Sequence, residues 1–134
     1  MTVFQGSLTV FSVVEVVKKT PIYVPDNFSS IQEAINNAPL SSVIIVRRGN
    51  YFENIKLNKK VTLVSEEGPR STKIIYLDSG TPVIGILSDY VNFSGFTVVG
   101  NPAMRAVISV KANNITIANN IIINGTDGVD LIDS

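Results

Sequence analysis

The chain has 134 residues, balanced acidic and basic side chains, 45% apolar content, and neither cysteine nor histidine. Its length fits one domain with an adequate core. The missing residue types remove cysteine nucleophiles, serine–histidine triads, imidazole bases and ordinary zinc or copper sites, and the absence of a basic stripe speaks against nucleic acid or an anionic membrane as partner.

The first 20 residues are expected to form a separate apolar strand extension. Leu8, Val10, Val14 and Val16 alternate with Phe11, Val13 and Val17, so both faces are apolar and a strand here needs cover on both sides. A remnant of a targeting segment is the competing reading. It lacks a basic leading region, and Gln5 and Glu15 interrupt a run too short to span a bilayer, so no membrane span is expected.

Residues 21–134 are expected to form the folded unit. Ile31, Ala34, Ile35 and Ala38 recur at helical spacing, Ser30 with Glu33 makes a capping box, and Pro39 stops the run; this predicts a short helix near 30–38. Its apolar face is expected to cover one end of the repeats that follow, as a solenoid's terminal cap does.

Three stretches can be laid over one another: Ile55-Lys56-Leu57 leading to Val61-Thr62-Leu63, Ile84-Gly85-Ile86 leading to Val91-Asn92-Phe93, and Ile108-Ser109-Val110 leading to Ile115-Thr116-Ile117. A further copy begins at Val129-Asp130-Leu131. The equivalent residues Leu57, Ile86, Val110 and Leu131 are roughly 20–30 residues apart, inside the range of stacked-repeat architectures. Apolar-x-apolar triplets put the outer pair on one face of a strand, so Lys56, Gly85, Ser109 and Asp130 should form one outward column and Thr62, Asn92 and Thr116 another. Val43 to Val46, Ile74 to Tyr76, Thr97 to Val99 and Ile121 to Ile123 are expected as a third strand per turn. The short links leave no room for crossover helices, so parallel strands must wind around their own apolar interior. The expectation is an all-β parallel β-helix of about four coils, three strands each, with loops at 66–72 and 77–82. The lysine and arginine pairs Arg47-Arg48 and Lys59-Lys60 are expected in solvated turns.

The runs Ile22-Tyr23-Val24-Pro25-Asp26, Ser29-Ser30-Ile31-Gln32-Glu33-Ala34-Ile35, Val43-Ile44-Ile45-Val46, Gly49-Asn50-Tyr51-Phe52-Glu53-Asn54-Ile55 and Val61-Thr62-Leu63-Val64 resemble the opening of pectin-lyase-like right-handed β-helices. They look most like NosD-type periplasmic repeat proteins and archaeal surface proteins carrying carbohydrate-binding and sugar-hydrolase repeats. The resemblance implies a right-handed winding and an extracellular or cell-surface location. The paired Asp residues with an adjacent Arg that serve pectin methylesterases have no match here, nor do the calcium-holding carboxylates of pectate lyases. Lys56 and Asp130 share the outward column but lie three rungs, roughly 14 Å, apart, too far to act on one bond. Met1 and Met104 are the only soft ligands, which does not support a copper role.

No catalytic residue or cofactor is therefore expected. Calcium is the one metal with a candidate set, Asp127, Asp130 and Asp133, whose spacing would need a turn at Gly128 to converge. Tyr51 (or its neighbour Phe52) and Tyr90 are candidate glycan contacts, and Asn27, Asn92, Asn114 and Asn124 head N-x-S/T triplets. Leu8, Val10, Phe11, Val13, Val14 and Val16, together with Val129 and Leu131, are candidate assembly residues, because an unfinished coil offers unpaired backbone to another strand. The functional expectation is a non-enzymatic surface module with a structural role that self-associates as a homo-oligomer or filament. The alternatives are a polysaccharide-binding module, or the N-terminal piece of a longer lyase- or esterase-like β-helix.

Overall fold

A computed structural model describes residues 20–132. The apolar extension, with Leu8, Val10, Phe11, Val13, Val14 and Val16, lies outside the described residues, as does Asp133. In chain order the elements are β1 (Ile22–Val24), α1 (Ile31–Asn37), β2 (Ser42–Val46), β3 (Gly49–Phe52), β4 (Ile55–Leu57), β5 (Val61–Ser65), β6 (Thr72–Ile75), β7 (Ile84–Ile86), β8 (Asn92–Ser94), β9 (Thr97–Val99), β10 (Ala106–Val110), β11 (Thr116–Ala118), β12 (Ile121–Ile123) and β13 (Gly128–Leu131).

These strands make three parallel sheets, ordered β11-β8-β5-β2-β1, β12-β9-β6-β3 and β13-β10-β7-β4. From β2 onward the chain visits the three sheets in strict rotation, and no barrel closes, an arrangement consistent with a parallel β-helix. The repeats stack in the register that their sequences suggest. Leu57 pairs with Ile86, Ile86 with Val110 and Val110 with Leu131; Lys56, Gly85, Ser109 and Asp130 stand in line; Asn92 lies between Thr62 and Thr116.

One strand assignment needs correction. Val43 to Val46 does not belong with Ile74, Thr97 and Ile121; it lies in the first sheet, Ile44 beside Leu63. Its expected place in the second sheet is taken by β3, where Tyr51 pairs with Ile74. Gly49-Asn50-Tyr51-Phe52 carries no aliphatic triplet to announce it, and Tyr51 fills the inward position with an aromatic ring. The second sheet also turns its triplets over: Val98 and Ile74 are buried as the inward residues, while Ile121 and Ile123 face out on either side of Ile122.

The interior is an aliphatic stack with one aromatic pair. Phe93 and Phe96, both fully buried, stack with centroids 5.0 Å apart and planes 13° from parallel. Phe93 sits between Leu63 and Ile117, as its register position requires.

The helix forms where the capping pattern puts it. Ser30 Oγ accepts from the Glu33 amide at 3.1 Å, and Ile31, Ala34 and Ile35 are buried beneath it. It packs on β1 and β4, the edge strands of two sheets. Two contacts seal this end with side chains in place of a further strand. The Glu53 carboxylate accepts from the amides of Ile31 (2.8 Å) and Gln32 (3.0 Å), satisfying first-turn donors that have no partner within a helix. Gln32 in turn accepts from the Lys56 amide (2.7 Å) and donates to the Lys56 carbonyl (3.2 Å), mimicking the strand that β4 lacks on that side.

The charged pairs are not simply solvated. Lys59 Nζ donates to the carbonyls of Asn36 and Ala38, closing the C-terminal end of α1. Arg47 bridges Asp26 and Glu66, each at 2.8 Å, with its guanidinium 4.4 Å from the Tyr23 ring centroid. Those three charges stand on successive rungs, which only stacking could bring together.

Candidate functional site

The outer face of the third sheet carries the column Lys56, Gly85, Ser109 and Asp130. A loop over residues 77–82 rises beside it, held by one side chain. Asn54 Oδ1 accepts from the amides of Leu77 (2.8 Å) and Asp78 (2.7 Å), and its Nδ2 donates to the carbonyls of Asp78, Thr81 and Pro82. A second loop, residues 101–105, is tied by Asn101, which accepts from the Ala103 amide and donates to the Tyr76 hydroxyl.

Between loops and sheet lies a trough of two adjoining hollows. One, of about 310 Å³, is lined by Thr81, Pro82, Met104, Arg105, Ser109 and Asp130. The other, of about 170 Å³, runs past Asn54, Lys56, Gly85, Leu87 and Lys111, and shares Thr81, Pro82 and Ser109 with the first. The floor is open at Gly85, where a Cβ would make only an ordinary contact of 3.8 Å with the Ile55 carbonyl oxygen. Lysines mark one end and hydroxyls the middle. At the other end Arg105 pairs with Asp127 at 3.2 Å and Asp130 at 3.9 Å. The hydrogen bond to Asp127, with the nearby carboxylates, raises the Arg105 pKa further above its already high value. Such a lining suits hydroxyl-rich or anionic chains lying along the rungs.

A wider hollow of about 560 Å³ opens at the corner of Ser65, Gly95 and Asn119. Its polar rim is spent on the fold: Asn120 accepts from the Phe96 amide and donates to the Phe93 carbonyl, and Ser65 bonds both Gly95 and Gly68.

The residues singled out from sequence fall in different places. Asp127 and Asp130 are brought together, but by Arg105, whose positive charge occupies the position between them. Among the described residues no group of three acidic side chains is arranged to hold a metal ion. Tyr51 is half-buried; its hydroxyl donates to the Arg47 carbonyl at 2.9 Å, and burial raises its pKa, while Phe52 beside it is 57% exposed. Tyr90 is equally exposed, with Lys60 Nζ 5.5 Å from its ring centroid. Asn27, Asn92, Asn114 and Asn124 are all exposed. Asn27 Oδ1 accepts from the Tyr23 amide, and Asn92 Nδ2 donates to Thr62 Oγ1 at 3.3 Å. Val129 and Leu131 occupy inward register positions yet are 36% and 77% exposed, because no rung covers them among the described residues. Sequence reading placed the loop at 77–82 but missed the roles of Asn54 and Arg105 and the loop at 101–105. Their roles depend on partners more than 20 residues away, and no local pattern announces such partners.

Comparison with known proteins adds one relative. Over 104 residues, 76% of this chain, the sequence is 33% identical to a protein named cell surface glycoprotein from Methanothermus fervidus. The chain spans 13% of that protein's length. No family model matches the sequence, and no solved structure does. Among the described residues no helix is long and apolar enough to cross a membrane.

Proposed function

We propose that this chain is a surface-displayed parallel β-helix module with a structural, non-catalytic role, wound in about four coils of three strands in the pectin-lyase-like manner. The observation that carries the reading is the similarity to the Methanothermus fervidus cell surface glycoprotein across most of the chain. The exposed side chains of all four N-x-S/T asparagines agree with it. Labelling intact source cells with a membrane-impermeant amine reagent tests the location. Lysines that react only after lysis would reject it.

Self-association belongs to the same reading. Among the described residues β11, β12 and β13 are edge strands with no further strand beside them, and the inward Val129 and Leu131 are exposed there, whereas at the opposite end α1 packs on β1 and β4 and Gln32 bonds the β4 edge. Edges of this kind recruit another strand, so the proposed contact joins copies of the chain through this end, as a homo-oligomer or a filament. Sedimentation should find a self-associated species that Leu131→Asp dissociates; a stable monomer at full length and with residues 1–19 removed would reject it.

The trough favours a second reading, polysaccharide contact. Its lysine-bearing end suits acidic polymers, so binding on a glycan array should weaken in Lys56→Ala and Lys111→Ala chains. A blank array excludes this reading and leaves the structural one standing.

A further inference from the structure

Four asparagines head N-x-S/T triplets, and the fold sets them in four different surroundings. Asn92 lies within β8, its Nδ2 donated to Thr62 on the rung beside it. Asn27 serves a turn, accepting from the Tyr23 amide, and the Ser29 hydroxyl of its triplet donates to Glu33. Asn114 and Asn124 are exposed, take the left-handed conformation at φ 59° and 64°, and have side-chain amides engaged by no group among the described residues. Thr116 and Thr126, two residues on, are exposed as well.

What separates Asn114 from Asn124 is the neighbouring rung. Asn92 pairs with Thr116 and Phe93 with Ile117, so the corner residue before each strand pair aligns Tyr90 with Asn114, one rung or about 4.8 Å apart. Their backbones agree, with φ of 61° and 59°. The corner is fixed by two bonds, from the Tyr90 amide to the Asn113 carbonyl (3.2 Å) and from the Asn113 amide to Asp89 Oδ1 (2.8 Å). Tyrosine is a costly residue at positive φ, and this one is 57% exposed. By the same counting Asn124 aligns with Gly100, which offers no side chain.

We infer that Asn114 is an N-glycosylation acceptor whose first sugar packs on the Tyr90 ring. In the transfer, Asn114 Nδ2 forms a bond to the anomeric carbon of a sugar carried on a polyprenyl phosphate. The bond from that carbon to the phosphate oxygen breaks, the phosphate leaves with the electron pair, and the amide gives up one proton; nothing is oxidised or reduced. The flat apolar faces of a sugar ring stack on aromatic rings, and a tyrosine one rung away gives the attached sugar such a surface without closing a loop. Lys60, on the far rung of the same column, has its ammonium 5.5 Å from the ring centroid.

The inference rests on the surface reading for its occurrence in the source cell, but the acceptor geometry can be tested apart from it. The full chain is secreted behind a signal sequence from an N-glycosylating host, and occupancy of each asparagine is read by peptide mass mapping. Asn114 should be occupied. Thr116→Val, which abolishes the triplet and leaves the corner residue in place, should lower Tm by about 2–4 °C. The same substitution in a Tyr90→Ala chain should lower it by less than about 1 °C. Blocking Asn124 with Thr126→Val serves as control and should leave the Asn114-dependent shift intact. An unmodified Asn114, a Thr116→Val chain as stable as the parent, or a shift that survives loss of Tyr90 would each overturn the inference. Surface labelling of source cells is unaffected by any of these outcomes, so the two readings fail separately.

Discussion

Gly95 sits at the corner between β8 and β9, and replacing it with alanine probes how tightly successive rungs are pressed together. Its φ of +88° lies where an L side chain is strained, at roughly 1–2 kcal/mol. A Cβ built there would stand 2.5 Å from Ser65 Oγ, one rung away, while Ser65 Cβ and N remain at 3.5 Å. The hydroxyl can swing aside, but it then surrenders the bond it donates to the Gly95 carbonyl and the one it accepts from the Gly68 amide. Ser65 is buried, so each lost bond costs about 1 kcal/mol. Gly95→Ala should therefore cost about 3–4 kcal/mol, and Ser65→Ala, which loses the same two bonds without strain, about 2 kcal/mol. In a Ser65→Ala background, Gly95→Ala should cost only the strain, about 1–2 kcal/mol. Urea denaturation of the four proteins measures the cycle. If Gly95→Ala costs the same in both backgrounds to within about 0.5 kcal/mol, the rung-to-rung clash is not the cause and the reasoning is wrong.

Glu53→Gln weakens the two bonds to the amides of Ile31 and Gln32 by removing their charge, and should cost about 1 kcal/mol in urea denaturation, with the earliest loss of hydrogen-exchange protection in α1. Phe93→Leu and Phe96→Leu, at a ring separation of 5.0 Å, should show a coupling of about 0.5–1.5 kcal/mol in a double-mutant cycle; strict additivity would mean the pair contributes only buried area. The hydrogen bond from Arg47 holds the Asp26 carboxyl below its ordinary 3.8. A depressed folded-state pKa makes its stabilisation complete above that value and lost as pH falls through the folded one. The stability gap between parent and Asp26→Asn should accordingly be constant at neutral pH and close below pH 3.8; a gap that widens on acidification would contradict the assignment.

Much of the winding was legible in the chain because the repeats keep their inward residues at constant spacing. Ile55, Ile84 and Ile108 could be aligned by eye, and a one-residue slip would have moved a lysine, a glycine or a serine into the interior. The helix was equally plain, since Ser30, Glu33 and Pro39 act within a few residues of one another. The second sheet was harder. Tyr51 is not aliphatic, and the outward Ile121 and Ile123 are, so hydrophobicity alone assigned the wrong strand to its first rung and hid which face of a triplet points inward.

What the sequence determined by itself was therefore the local and periodic part: a β-rich chain of stacked triplets, one short capped helix, and corners of asparagine and glycine. Tertiary structure alone decided which residues meet across rungs. Arg47 finds Asp26 and Glu66, Asn54 pins the wall of the trough, Gln32 completes an edge strand, and Tyr90 comes to lie beside Asn114. In each case the partners are separated by about one turn of the winding. That length varies with every loop, so no fixed spacing along the chain records a contact that exists only once one rung rests on the next.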